Sequence, residues 1–176
     1  LAVHLLERLY GYEAQLAAED AYWAAVNCHI EMIRAGTTCF VDPGNYFPDE
    51  MARALGDTGL RGTVARITFD VHKTSIGEMS AQVRKESTEE ALAAAEAAFA
   101  RVHGLHGGRV RGWFGMRIPP VCSDALIQGM KRLADRHGVG MVLHAGESRE
   151  AAAASRIKFG MHDVERLAAL DALGPN

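Results

Sequence analysis

The feature that most constrains this chain is an alternation, repeated four times, of a short apolar, β-branched run with a longer amphipathic stretch. The runs span residues 37–42, 61–69, 109–116 and 139–144. Their length and richness in Val, Ile, Thr and Phe suit strands buried on both faces. The stretches between them carry helical periodicity. Trp23, Val26, Ile30 and Ile33 fall at steps of three and four within 19–35, which puts them on one face, and Gly36 then closes the helix. Pro43-Gly44-Asn45 breaks the first strand, and Asp49 is placed to cap a short helix to about residue 57, ahead of Gly59. After a long loop over 70–86, Ser87 and Glu90 have capping-box spacing ahead of Leu92, Ala95, Phe99 and Val102. Ser123 caps the next helix, with Leu126, Met130 and Leu133 inward, and Val164, Leu167 and Leu170 mark the last.

Strands joined by helices run parallel with right-handed crossovers, so the fold class is α/β. The pattern alone fits both a doubly wound sheet and a barrel. No glycine-rich phosphate loop follows a strand, and Gly104-Leu105-His106-Gly107-Gly108 precedes one instead. That counts against a doubly wound phosphate binder.

Composition narrows the function classes. Of 176 residues, 48% are apolar and 23% charged, with a net charge of −3 and both signs scattered, so a core is affordable and no basic stripe invites nucleic acid. No apolar run approaches the roughly 18 residues of a membrane span, and residues 1–6 lack the cationic start of a signal peptide. Three cysteines at long spacings, Cys28, Cys39 and Cys122, form neither a disulfide framework nor a zinc knuckle. A reducing cytoplasm is the expected location, with Cys28 and Cys39 expected in the core.

Chemistry concentrates in Val142-Leu143-His144-Ala145-Gly146-Glu147. Ligands and catalytic groups of α/β sheets gather at the carboxyl ends of strands. Positions three apart on a strand point to opposite faces, so His144 and Glu147 share a site only if the chain turns near Ala145. Gly146 permits that turn. Taken alone, the segment reads equally as a satisfied strand-end histidine and a surface glutamate.

The wider sequence resembles the chlorohydrolase and deaminase branch of the amidohydrolase superfamily, which includes s-triazine hydrolases and guanine, cytosine and adenosyl-type deaminases. Four pieces carry the resemblance in order: residues 31–42 (EMIRAGTTCFVD), 55–62 (LGDTGLRG), 133–140 (LADRHGVG) and the His144-Ala145-Gly146-Glu147 motif. The resemblance implies about strands 2–5 of a (β/α)8 barrel, with residues 1–176 forming a partial catalytic domain that lacks strand 1 and strands 6–8. It implies His144 as a ligand of one divalent metal, zinc or alternatively iron, and Glu147 as the proton shuttle. Such a metal lowers the pKa of water toward neutrality, and the hydroxide attacks a ring carbon that carries an amine or halide. The implied function is hydrolytic deamination or dechlorination of a nitrogen heterocycle, by an enzyme expected to be homo-oligomeric when complete. The alternative from another class is an inactive barrel piece that serves as a binding or assembly module.

Two departures from the family pattern stand out. Where relatives carry a histidine after the fourth strand, this chain has Arg117 in Gly115-Met116-Arg117-Ile118-Pro119-Pro120, so Arg117 is a candidate for binding an anionic or carbonyl group of the substrate. The paired histidines of strand 1, the sixth-strand histidine and the eighth-strand aspartate have no counterparts, which leaves one metal ligand by motif where a catalytic zinc takes three. His4 and His72 are further substrate-contact candidates, because they fall in catalytic-side loops of the resembled family. Asp42 and Asp70, at strand ends, are assigned structural hydrogen bonds. His29 is expected to pack, and His103, His106 and His137 to lie on the far side of the sheet.

Overall fold

The computed structural model describes residues 5–75 and 77–174. A π-helical turn at Leu5–Leu9 runs into α1 (Tyr10–Glu13), and α2 (Ala18–Arg34) leads to β1 (Cys39–Val41). Next come α3 (Pro48–Thr58), β2 (Arg61–Val64), the short β3 (Lys73–Thr74) and β4 (Gly77–Glu78), and α4 (Thr88–Val102). β5 (Val110–Gly112) and β6 (Phe114–Gly115) precede α5 (Asp124–His137), β7 (Met141–Val142), α6 (Arg149–Phe159) and α7 (Asp163–Ala169).

β1, β2 and β5 pair in parallel in that order, with Phe40 opposite Gly62 and Thr63 opposite Arg111. β6 pairs in parallel with β7, Phe114 opposite Met141. β5 and β6 are one run interrupted at Trp113, whose N–H still donates to the Val64 carbonyl at 3.0 Å. The four expected strands therefore lie side by side in chain order, curled as a portion of a (β/α) barrel. They are shorter than their apolar runs. β2 stops at Val64, and the chain continues through a single bridge between Asn45 and Arg66. The loop after residue 70 is not wholly irregular either, because β3 and β4 form a small antiparallel pair within it.

Local chemistry explains the helix starts. Ser87 Oγ accepts from the Glu90 N–H at 3.2 Å while Glu90 accepts from the Ser87 N–H at 2.8 Å, closing the expected capping box. Ser123 Oγ accepts from Leu126 N–H at 3.1 Å. Asp49 does not cap α3. Pro48 occupies the first turn, where its missing N–H costs nothing, and Asp49 pairs with Arg101 at 2.9 Å.

The larger core lies between sheet, α4 and α5, around Phe99, Phe114, Met116, Leu126, Ile127 and Met130. Full burial of each large side chain contributes about 1.5–3 kcal/mol. A second cluster joins Leu55, Val64, Val102 and Val110 beneath α3.

Helix α2 departs from its periodicity. It buries Ala25 and His29, while Trp23, Ile30 and Ile33 are 59%, 45% and 43% exposed. The small Ala25 lets α2 settle on α3, and among the described residues nothing covers its bulkier face. Cys28 and Cys39 are accordingly exposed, and Cys122 alone is buried. On α7 the buried positions are Asp163, Arg166 and Leu167, and Val164 faces solvent. Among the described residues no helix is long and apolar enough to cross a membrane.

Candidate active site

The carboxyl ends of the parallel strands converge on a cavity of about 280 Å³. Pro43 and Gly44 enter it from the end of β1, Ile67 from beyond β2, Arg117 from beyond β6, and His144 and Glu147 from beyond β7. Tyr10 and Glu13 of α1 close its side. Gly44 forms part of the wall at φ +113, where a Cβ would stand 3.0 Å from Ile67 Cδ1, so both the turn and the close approach call for glycine.

His144 and Glu147 are both exposed at this cavity. The chain leaves β7 at Val142 and turns at Gly146, φ +67, which brings residues three apart to one side. Arg117 is built differently. Its side chain is 10% exposed and ion-paired with Glu13, which lies 104 positions away in sequence. Its guanidinium lies 3.8 Å from the centre of the Tyr10 ring and 5.4 Å from that of Tyr46. Burial pulls its pKa down, but the charge and hydrogen bond of Glu13 outweigh burial and leave it above the ordinary arginine value. Among the described residues, Nε of Arg117 and the Tyr46 hydroxyl are buried without a hydrogen-bond partner. Burial raises the Tyr10 phenol, Arg117 opposes the rise, and the nearby Glu147 and Glu13 charges add to it. Tyr10 therefore remains a neutral phenol beside Arg117.

The other sequence candidates are placed apart. His72 does not line the cavity: its ring meets Phe69 edge-on at 5.5 Å, and its Nε2 lies 3.4 Å from the Arg84 carbonyl. His4 lies outside the described residues. Asp70 accepts from the Ser123 N–H at 2.8 Å and from the Thr88 hydroxyl at 2.6 Å, and Asp42 accepts from the Gly44 N–H at 3.0 Å, so both hold loops. Burial raises the Asp42 carboxyl, against the lowering effect of its Gly44 and Asn45 hydrogen bonds. His29 packs at 1% exposure, and His137 bonds Glu96 at 2.8 Å, away from the cavity. The sequence reading passed over Tyr10, Glu13 and Asp163. Tyr10 and Glu13 sit before the first periodic helix, where no spacing marks them, and Asp163 looks like an ordinary acid in a first helical turn.

A neighbouring cavity of about 310 Å³ shares Glu13 and Gly44 but is lined mainly by apolar groups such as Leu16, Phe47 and Met51. It offers no imidazole, and its one carboxylate, Glu13, is ion-paired with Arg117, so the cavity with His144 is the better candidate site. Among the described residues no group of three or more His, Cys, Asp or Glu side chains is gathered for a metal. The exposed imidazole of His144 suits a borderline divalent ion as one donor, but it is not a complete site.

Comparison with known proteins agrees with this layout. The chain is 34% identical over 93% of its length to a 5-methylthioadenosine/S-adenosylhomocysteine deaminase of Symbiobacterium thermophilum, and spans 35% of that protein. It is 30% identical over its whole length to a 5'-deoxyadenosine deaminase of Methanosarcina mazei, and spans 38% of it. Its fold superposes with a TM-score of 0.79 on a zinc-bound adenosine deaminase from Xanthomonas campestris at 22% identity, covering 96% of this chain and 36% of the other. The amidohydrolase family model matches residues 3–176. With strands in the expected order and the histidine–glutamate turn at their carboxyl ends, the chain belongs to the amidohydrolase family.

Proposed function

We propose that residues 1–176 form the part from about strand 2 to strand 5 of a longer hydrolase that deaminates a nitrogen heterocycle of the adenine type. The observation that carries this reading is the convergence of His144, Glu147 and Arg117 on one cavity at the carboxyl ends of parallel strands. The names of the relatives favour deamination and a purine nucleoside as substrate. In this reading His144 is one donor to a divalent metal, zinc first, and the remaining donors lie outside the described residues. Bound there, such an ion supplies a water whose pKa lies near neutrality.

Glu147 then does the proton work. It accepts a proton from the attacking water and delivers it to a ring nitrogen next to the carbon under attack, then takes the proton of the new hydroxyl and passes it to the amine, which departs as ammonia. Its exposure at the cavity leaves it free to reach both atoms. Arg117 orients the substrate by donating to a ring nitrogen of the heterocycle or to an oxygen of the group it carries. The ion pair with Glu13 and the stack on Tyr10 hold the guanidinium in place, so little rotamer freedom is lost on binding.

The test is ammonia release by the complete polypeptide from a panel of adenine nucleosides, guanine, cytosine and chlorotriazines, before and after removal of metal by a chelator. The expected result is deamination of at least one adenine nucleoside, abolished by chelation and restored by zinc. Turnover unaffected by complete metal removal would contradict the reading.

A further inference from the structure

Among the described residues, hydrogen bonding ties the backbone of the segment that bears His144 and Glu147 to the rest of the molecule at one point. Among the described residues, a single hydrogen bond engages the backbone of residues 144–147: the Gly146 N–H donates to Asp163 Oδ2 at 2.7 Å. Asp163 is 1% exposed. A carboxylate this buried is costly unless its oxygens are bonded, and its two oxygens divide the task. Oδ2 takes the Gly146 amide, while Oδ1 accepts from the Val164 N–H at 3.1 Å and lies 2.5 Å from His162 Nδ1.

The carboxylate is itself fixed. On the next turn of α7, Arg166 is 3% exposed and donates to the Pro119 and Cys122 carbonyls at 2.8 and 2.9 Å. Those carbonyls belong to the segment that follows Arg117, so α7 clamps the turn after β7 to the turn after β6. A Cβ at Gly146 would find only His162 Cε1 within 4 Å, at 3.8 Å. Space therefore does not demand glycine there. The positive φ does, and the bond to Asp163 stabilises that conformation.

We infer that Asp163 is a positioning residue of the active site: it holds the Gly146 turn so that the Glu147 carboxylate faces the same cavity as His144. The inference rests on the role assigned to Glu147 above. Without the bond, the Gly146 amide loses its partner and the turn samples other conformations, which misplaces the residue next to it. Misplacement of a proton shuttle lowers kcat and leaves ground-state binding nearly intact.

The experiment compares Asp163→Ala, Asp163→Asn, Glu147→Gln and the double variant Asp163→Ala/Glu147→Gln in the complete polypeptide, with kcat, KM and zinc content measured for each. Asp163→Ala should lower kcat roughly 10- to 100-fold, with KM within about twofold and zinc retained. Asp163→Asn keeps an oxygen that accepts from Gly146 and should stay within about threefold of wild type. The double variant should be no slower than Glu147→Gln alone, because Asp163 acts through Glu147. If Asp163→Ala does not fold, Asp163→Ser replaces it: its hydroxyl can serve the start of α7 but is one bond too short to reach Gly146. The inference is overturned if Asp163→Ala, or Asp163→Ser in its place, keeps wild-type kcat, loses zinc, or multiplies the defect of Glu147→Gln. A fully active Glu147→Gln would instead overturn the role of Glu147, so the two failures are distinct.

Discussion

Arg117 shows at the scale of a single residue how this fold makes a charge useful. A buried guanidinium must be paired, and Glu13 pairs it from a helix that precedes the sheet. Tyr10 stacks on it, and among the described residues the Arg117 Nε has no hydrogen-bond partner. Replacement by alanine should raise KM or lower kcat/KM for the natural substrate by roughly 10- to 200-fold, the cost of one lost charged hydrogen bond of about 1.5–3 kcal/mol. Lysine should not restore it, because a point charge cannot match the planar fork. Steady-state kinetics on both variants decides the matter, and an unchanged kcat/KM in Arg117→Ala would leave Arg117 a purely structural group. His144 and Arg117 stand out at the ends of strand-like runs, and it is the resemblance, not the pattern, that singles out Glu147 three residues on. Tyr10, Glu13 and Asp163 were not, because their partners lie on other elements. Sequence spacing reports neighbours along one helix or strand, and the Glu13–Arg117 pair spans 104 positions.

Elements follow the sequence where apolar runs and caps mark them, but burial need not follow: β1 forms at its run although Cys39 and Val41 are exposed and not buried as expected. The strands lie where the apolar runs put them, and the Ser87 and Ser123 caps are where the capping pattern puts them. On α2 periodicity shows which side of the helix is apolar, not whether anything covers it. On α7 the apolar spacing marks the helix but not its whole buried side, which also carries Asp163 and Arg166, residues that hydrophobic patterning skips. Arg166 makes that helix a clamp, with bonds to Asp124, Pro119 and Cys122 and its guanidinium 3.7 Å from the centre of the Phe159 ring. Arg166→Leu should therefore destabilise the fold by about 2–4 kcal/mol, since two buried carbonyls lose their donor. Ser87→Ala, which removes one exposed cap, should cost about 1 kcal/mol. Urea denaturation of both variants gives the comparison, and an Arg166→Leu loss no larger than that of Ser87→Ala would show that the clamp carries little.

For the whole molecule, the resemblance supplied what the pattern left open, a curled barrel portion rather than a doubly wound sheet. The described residues build four of eight strands. β1 and β7 form the two ends, each with one edge unpaired among these residues. Exposed Trp23, Ile30, Ile33 and Val41 stand beside the β1 end. Open strand edges and uncovered apolar faces recruit further polypeptide. Residues 1–176 expressed alone should therefore associate or aggregate in sedimentation runs and show no metal-dependent hydrolysis. A monodisperse monomer that unfolds cooperatively would contradict this.

The account depends most on Glu147 as the group that moves the proton at a metal site to which His144 contributes. The most direct measurement is the turnover and zinc content of Glu147→Gln in the complete polypeptide. Glutamine keeps the size and polarity of the side chain and removes only its ability to take and give a proton. The predicted result is full zinc occupancy with kcat lowered about 10²- to 10⁴-fold, the usual worth of a general acid–base group. Wild-type turnover in that variant would contradict the account.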